Sequence, residues 1–153
     1  MNIMKLRPHH ILDIVSSYGH AEEFKPHEYG HAVHTVALLI IADIDQQVEL
    51  IVGADEICKP CKHLCLDGQC DDIVRQINPP KLKQEYNDNL DNKLFEYFGF
   101  PINSVMTMRE YLEIVNNKVP GVEQICTHPK EDPELRLRGL KQGLVRLGIR
   151  KIK

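Results

Sequence analysis

The sequence predicts a mostly helical α+β protein: a single metal-binding domain over residues 1–153, with a small two- or three-stranded sheet and a cysteine-rich knuckle. Three observations carry this expectation. Apolar residues recur at helical spacing in at least four stretches. Only two short runs read as β-structure. Four of the five cysteines crowd between Cys58 and Cys70. A chain of 153 residues, 42% hydrophobic and 27% charged, is long enough to bury one ordinary core.

The elements follow in order. N-terminal helices are expected within residues 8–42. The first covers Pro8 to Ser17, because proline suits a first helical turn whose N–H would lack a partner anyway. Its stripe is Ile11, Leu12, Ile14 and Val15, and Gly19 stops it. The second runs from Pro26 to Ala42 on Val33, Val36, Ala37, Ile40 and Ile41. Leu38 and Leu39 widen that face, so this helix is expected to be buried nearly all round. Val48 to Val52 is β-branched and ends at Gly53, which predicts a strand. Residues 54–70, with Pro60, Gly68 and dense thiols, form the knuckle.

A helix over 81–98 follows Pro79–Pro80, with Leu82, Tyr86, Leu90, Leu94 and Tyr97 or Phe98 on one face and Gly99 as its stop. The next, 107–118, opens with the capping-box pair Thr107 and Glu110. Val122 to Cys126 is read as extended and as a partner for the earlier strand. The last helix, 133–147, has Asp132 as N-cap and Leu137, Leu140, Leu144 and Leu147 as its stripe.

Several function classes are set aside by composition. The longest apolar run, Val36 to Ala42, is too short to cross a bilayer, so no membrane association is expected. The N-terminus lacks the apolar core and small-residue cleavage site of a signal peptide, and the cytoplasm is the expected compartment. The formal charge of −3 gives no overall attraction to nucleic acid. Basic residues do collect at the C-terminus (Arg136, Arg138, Lys141, Arg146, Arg150, Lys151 and Lys153). Aromatic residues do not interleave with them, and nucleic-acid binding is not expected. Phosphate-binding loops, dinucleotide fingerprints and a Ser–His–Asp pattern are absent. The expected partner is an unidentified protein or small molecule, and the sequence leaves oligomeric state open.

The chemistry lies in the cysteines. An odd count in a reducing compartment argues against a disulfide framework and for metal ligation. The spacing is C58-x2-C61-x3-C65-x4-C70, with Cys126 far along the chain. A C-x2-C pair lets two thiolates face one ion, and four thiolates suit structural zinc or a 4Fe-4S cluster. Cys58, Cys61 and Cys70 are the first three candidates. Cys126, Cys65 and His63 compete for the fourth position.

Histidines add further candidates. His9 and His10 follow Arg7–Pro8 at a helix start, with side chains about 100° apart around the axis. One of them beside the metal, with Arg7 holding an anion, is the functional reading; backbone-satisfied histidines are the alternative. His27, His31 and His34 fall at i, i+4 and i+7, and are expected to form a solvated helix face.

The motifs L6-R7-P8-H9-H10-I11-L12 and G53-A54-D55-E56-I57-C58-K59-P60-C61, with Cys70 and a late Cys126, resemble domain-of-unknown-function family 1284. That family comprises small bacterial and archaeal proteins labelled as iron–sulfur binding. The resemblance spans Leu6 to about Leu147. It implies Cys58, Cys61, Cys70 and Cys126 as ligands of an iron–sulfur cluster, and no established reaction. Two departures stand out. Asp13 occupies a place where relatives often have cysteine, and a further cysteine near Cys126 is missing. A bare zinc site, or a non-thiolate ligand completing the set, therefore stays open.

Three classes result: an iron–sulfur protein, a zinc-stabilised structural or interaction module, and a metal-dependent enzyme using Arg7, His9, His10, Asp55 or Glu56. An all-cysteine ligand set favours the first two, and an open metal position facing the histidines favours the third.

Overall fold

The computed structural model describes residues 3–125 and 132–152. The fold is α+β, as expected. Its elements are β1 (Met4–Leu6), α1 (Pro8–Gly19), α2 (Val33–Ala42), β2 (Gln47–Leu50), β3 (Ile73–Val74), β4 (Lys81–Leu82), α3 (Lys83–Phe98), β5 (Val105–Thr107), α4 (Met108–Asn117) and α5 (Pro133–Arg146). A short 3-10 turn, Val122–Gln124, precedes α5.

One sheet has the order β1-β2-β5, with β1 parallel and β5 antiparallel to the central β2. β3 and β4 form a separate antiparallel ribbon. Val48 and Leu50 of β2 point into the core and are fully buried. The expected partnership of this strand with Val122 to Cys126 does not form. Val122–Gln124 is a 3-10 turn, and Cys126 lies outside the described residues. The true partners, β1 and β5, are only three residues long, too short for an alternating pattern to be read from sequence.

α1 buries Ile11, Leu12, Ile14 and Val15 as the stripe predicts. Its partner across the core is α5, whose Leu140 and Leu144 are fully buried. Small residues let the two backbones approach closely: a Cβ on Gly143 would collide with the carbonyl oxygen of Val15, and one on Gly19 with that of Gly139. The predicted caps form at both later helices. Thr107 and Glu110 make a reciprocal capping box on α4, and Asp132 accepts from the Glu134 N–H at 3.0 Å on α5.

α2 is the clearest departure. It starts at Val33 and not at Pro26. Gly30 adopts φ +77°, a left-handed conformation that a continuing helix excludes. Leu38 and Leu39 are 60% and 51% exposed, so α2 is one-sided and not buried all round. α3 ends as predicted at Gly99, a left-handed C-cap. Leu94 and Phe98 point inward as the stripe predicts, but the buried face is rotated to take in Gln84, Asp91 and Phe95, while Leu82 is exposed. Among the described residues no helix is long and apolar enough to cross a membrane.

Candidate metal centre

The knuckle is built on Asp55, which is 1% exposed. Its Oδ1 accepts from the N–H groups of Ile57 (3.1 Å) and Cys58 (3.2 Å), so the carboxylate itself shapes the turn that presents Cys58. Its Oδ2 accepts from the Arg7 N–H (2.8 Å) and from His10 Nδ1 (2.7 Å). Four donors converge on one carboxylate and pin the knuckle to the start of α1. The chain then turns through Cys61 N–H to Cys58 O (2.9 Å) and Leu64 N–H to Cys61 O (3.1 Å). Gly68, at φ +81°, reverses it, and a bridge between Leu64 and Cys70 closes the loop.

Cys70 is fixed from α3: its N–H donates to Oε1 of Gln84 at 2.9 Å. Gln84 in turn donates to Asp88, which pairs with Arg7 Nη2 at 2.9 Å. Arg7 Nη1 donates to Asp91 Oδ2 at 2.9 Å, and Asp91 Oδ1 accepts from the His9 N–H (3.0 Å) and faces His9 Nδ1 (2.9 Å). A continuous polar chain thus runs from Cys70 to His9 behind the site. Arg7 is 2% exposed and Asp91 fully buried.

Electrostatics fix the proton positions. Burial pushes Asp55 up, but the charge of His10, its hydrogen bond and the backbone donors outweigh that and hold the carboxyl at about 2. Asp91 is likewise held below the usual carboxylate range: burial opposes it, while His9 and Arg7 prevail. An ionised carboxylate only accepts, so His9 and His10 each carry the proton on Nδ1 and direct a lone pair, when neutral, from Nε2. Burial acts against charge on His10, yet Asp55 raises its pKa overall. Burial, then the charge of Asp55, pushes the Cys58 thiol up to about 12. Cys70 is also raised, chiefly by burial. A bound cation is what would hold such thiols as thiolates near neutral pH.

His10, Asp55 and Cys58 bring one ligand atom each within 4.8 Å of one another. His10 and Cys58 line a cavity of about 560 Å³ that Cys61, Cys70, His9, His63 and Arg7 also line; Asp55 lies behind it. The grouping differs from the expected all-thiolate set, whose Cys126 lies outside the described residues: within them only one cysteine belongs to the tight triad, and its neighbours there are an imidazole and a carboxylate. The reason is that Asp55 draws His10 and the Cys58 turn together. Cys65 is exposed at the loop tip and does not line the cavity. His63 does line it, with Nδ1 2.8 Å from Asp71. Glu56 forms an ion pair with Lys59 and lies outside the lining. The donor set of imidazole nitrogen and thiol sulfur around one cavity fits a metal of zinc type. Four thiols for a cubane cluster are not assembled among the described residues.

His27, His31 and His34 do not share a helix face, since only His34 lies in α2. The rings of His27 and His31 stack at 4.4 Å, and their Nδ1 atoms accept backbone N–H groups of Tyr29 and Val33.

Sequence reasoning missed Gln84, Asp88 and Asp91. The signal for Asp91 is local: a carboxylate one turn before the buried Leu94 and Phe95 interrupts an apolar face and requires a buried partner.

No curated protein and no solved structure matches this chain. The sequence does match, over residues 26–130, the family described as Protein of unknown function (DUF1284), and the chain belongs to that family.

Proposed function

We propose that this protein is a metal-binding domain whose centre is a mixed nitrogen–sulfur site of zinc type. The ligands are His10 through Nε2 and the sulfurs of Cys58, Cys61 and Cys70. The observation that carries this reading is the approach of His10, Asp55 and Cys58 to within 4.8 Å at a cavity that two further thiols line. Asp55 has all its acceptor positions engaged by four donors, so its role is to orient. It holds Nδ1–H of His10 so that Nε2 faces the metal, the usual arrangement of a carboxylate behind a ligating histidine. Free thiols at such a centre suit a reducing compartment, and we place the protein in the cytoplasm.

The basic helix α5 supports a role other than nucleic-acid binding. Arg136 pairs with Asp13, Arg146 lies over the Tyr18 ring, and Arg150, beyond the helix, donates to Asn116.

A second reading is an iron–sulfur cluster on Cys58, Cys61 and Cys70, with Cys126 as the fourth ligand. What favours it is that three thiols line one cavity. Strictly anaerobic purification, followed by zinc, iron and acid-labile sulfide quantification, separates the two. A single zinc per chain without sulfide supports the mixed centre. Stoichiometric sulfide with a visible charge-transfer band overturns it in favour of the cluster.

A further inference from the structure

The cavity at the candidate centre is larger than an ion requires. A structural metal with four protein ligands is closed over, whereas about 560 Å³ lies within the range of small-molecule sites. Its walls have two characters. Val33, Ile57, Val74 and Leu90 offer apolar surface, and Arg7, Arg75 and Lys83 bring cationic groups.

Among the described residues one lining cation, Arg75, is left without a carboxylate partner. The two carboxylates in the lining are engaged: Asp13 pairs with Arg136 at 2.9 Å, and Asp72 with Lys83 at 3.5 Å. Asp88 and Asp91, behind the lining, each pair with Arg7 at 2.9 Å. Arg75 has no ion pair or hydrogen bond from its side chain among the described residues. Arg7 is 2% exposed, and its Nε has no hydrogen-bond partner there, although Nη1 and Nη2 are both used. An orphaned N–H on a buried guanidinium is rare, because burial strips its water without replacing it. An acceptor brought into the cavity would relieve it.

We propose that this cavity binds a small organic carboxylate, with the acid group at Arg7 and Arg75 and the hydrocarbon portion against the apolar wall. The Arg75 guanidinium matches the planar two-oxygen geometry of a carboxylate, Arg7 adds its unpartnered Nε–H, and the apolar wall favours a carbon chain over inorganic oxyanions. The proposal rests on the metal reading only in that both share one cavity; Arg7, Arg75 and the apolar wall belong to the chain whether or not a metal is bound.

The test is isothermal calorimetry on the protein as purified, its metal content measured first. The probes are valerate, glutarate and inorganic phosphate. Saturable binding of valerate or glutarate is expected, weaker by at least about tenfold in Arg75→Ala and in Arg7→Lys. Arg75 is exposed, so its alanine variant should fold even if Arg7→Lys does not. Metal content should be unchanged in Arg75→Ala. The proposal is overturned if neither carboxylate binds wild type, if Arg75→Ala binds them equally well, or if phosphate binds more tightly than both. A chain that carries no metal but binds a carboxylate through Arg75 would sink the metal reading and leave this one standing.

Discussion

His9 and His10, adjacent in sequence, are held by two different buried carboxylates: His9 Nδ1 lies 2.9 Å from Asp91 and His10 Nδ1 lies 2.7 Å from Asp55. Helical geometry turns neighbouring side chains about 100° apart, which is why one carboxylate could not serve both. One partner comes from the knuckle and the other from α3, yet both rings line the same cavity, with centroids 4.4 Å apart.

The first prediction follows from that arrangement. Asp55→Asn leaves a single oxygen to accept from four donors and turns an N–H₂ toward some of them. His10 then loses its orienting partner, and metal affinity should fall about 10–100-fold. His10→Ala should weaken binding at least as much. Competition against a chromophoric chelator measures both, and wild-type affinity in His10→Ala would remove His10 from the ligand set.

A second prediction separates the thiols. Cys65 is exposed and outside the cavity lining, whereas Cys58, Cys61 and Cys70 line it. Cys65→Ser should keep full metal stoichiometry. Cys61→Ser and Cys70→Ser should each lower it. Loss of metal in Cys65→Ser with retention in Cys70→Ser would require a different loop arrangement.

The α1–α5 contact gives a third. Leu140 is fully buried between these helices, so Leu140→Ala should cost about 2–5 kcal/mol. Gly143→Ala should also destabilise, because its Cβ would meet the Val15 carbonyl, a backbone atom that cannot move aside alone. Urea denaturation reads both, and an unchanged midpoint in Gly143→Ala would mean the helices sit farther apart.

These elements mark what was legible in the sequence. Helix periodicity placed α1 and α5, and cap chemistry fixed where α4 and α5 begin, because both signals are local. Spacing places Cys58, Cys61 and Cys70 in one loop, and all three line the cavity. The start of α2 and part of the face of α3 were not legible. A left-handed Gly30 delays the start of one helix, and tertiary pairing with Arg7 draws Asp91 inward on the other. The joining of His10 to Cys58 through Asp55 depends on β1 lying parallel to β2, a long-range pairing with no local pattern.

The last prediction concerns Asp91 and acid stability. Asp91 is fully buried and accepts from Arg7 and His9, whose charges hold its carboxyl below the usual carboxylate range despite burial. Its folded-state pKa is thus depressed. The stability it contributes is fully present above the unfolded value and is lost as pH falls through the folded one. Wild-type stability should therefore decline as pH drops below about 4. Asp91→Asn removes one partner of a buried ion pair while Arg7 stays buried, so it should cost about 3–5 kcal/mol near neutral pH. It should also flatten the acid limb, because the group that titrates there is gone. Urea midpoints measured in parallel from neutral to acid pH test both parts. Equal acid slopes in the two proteins would show that other carboxylates govern the transition, and equal neutral stability would show that Asp88 alone suffices to hold Arg7.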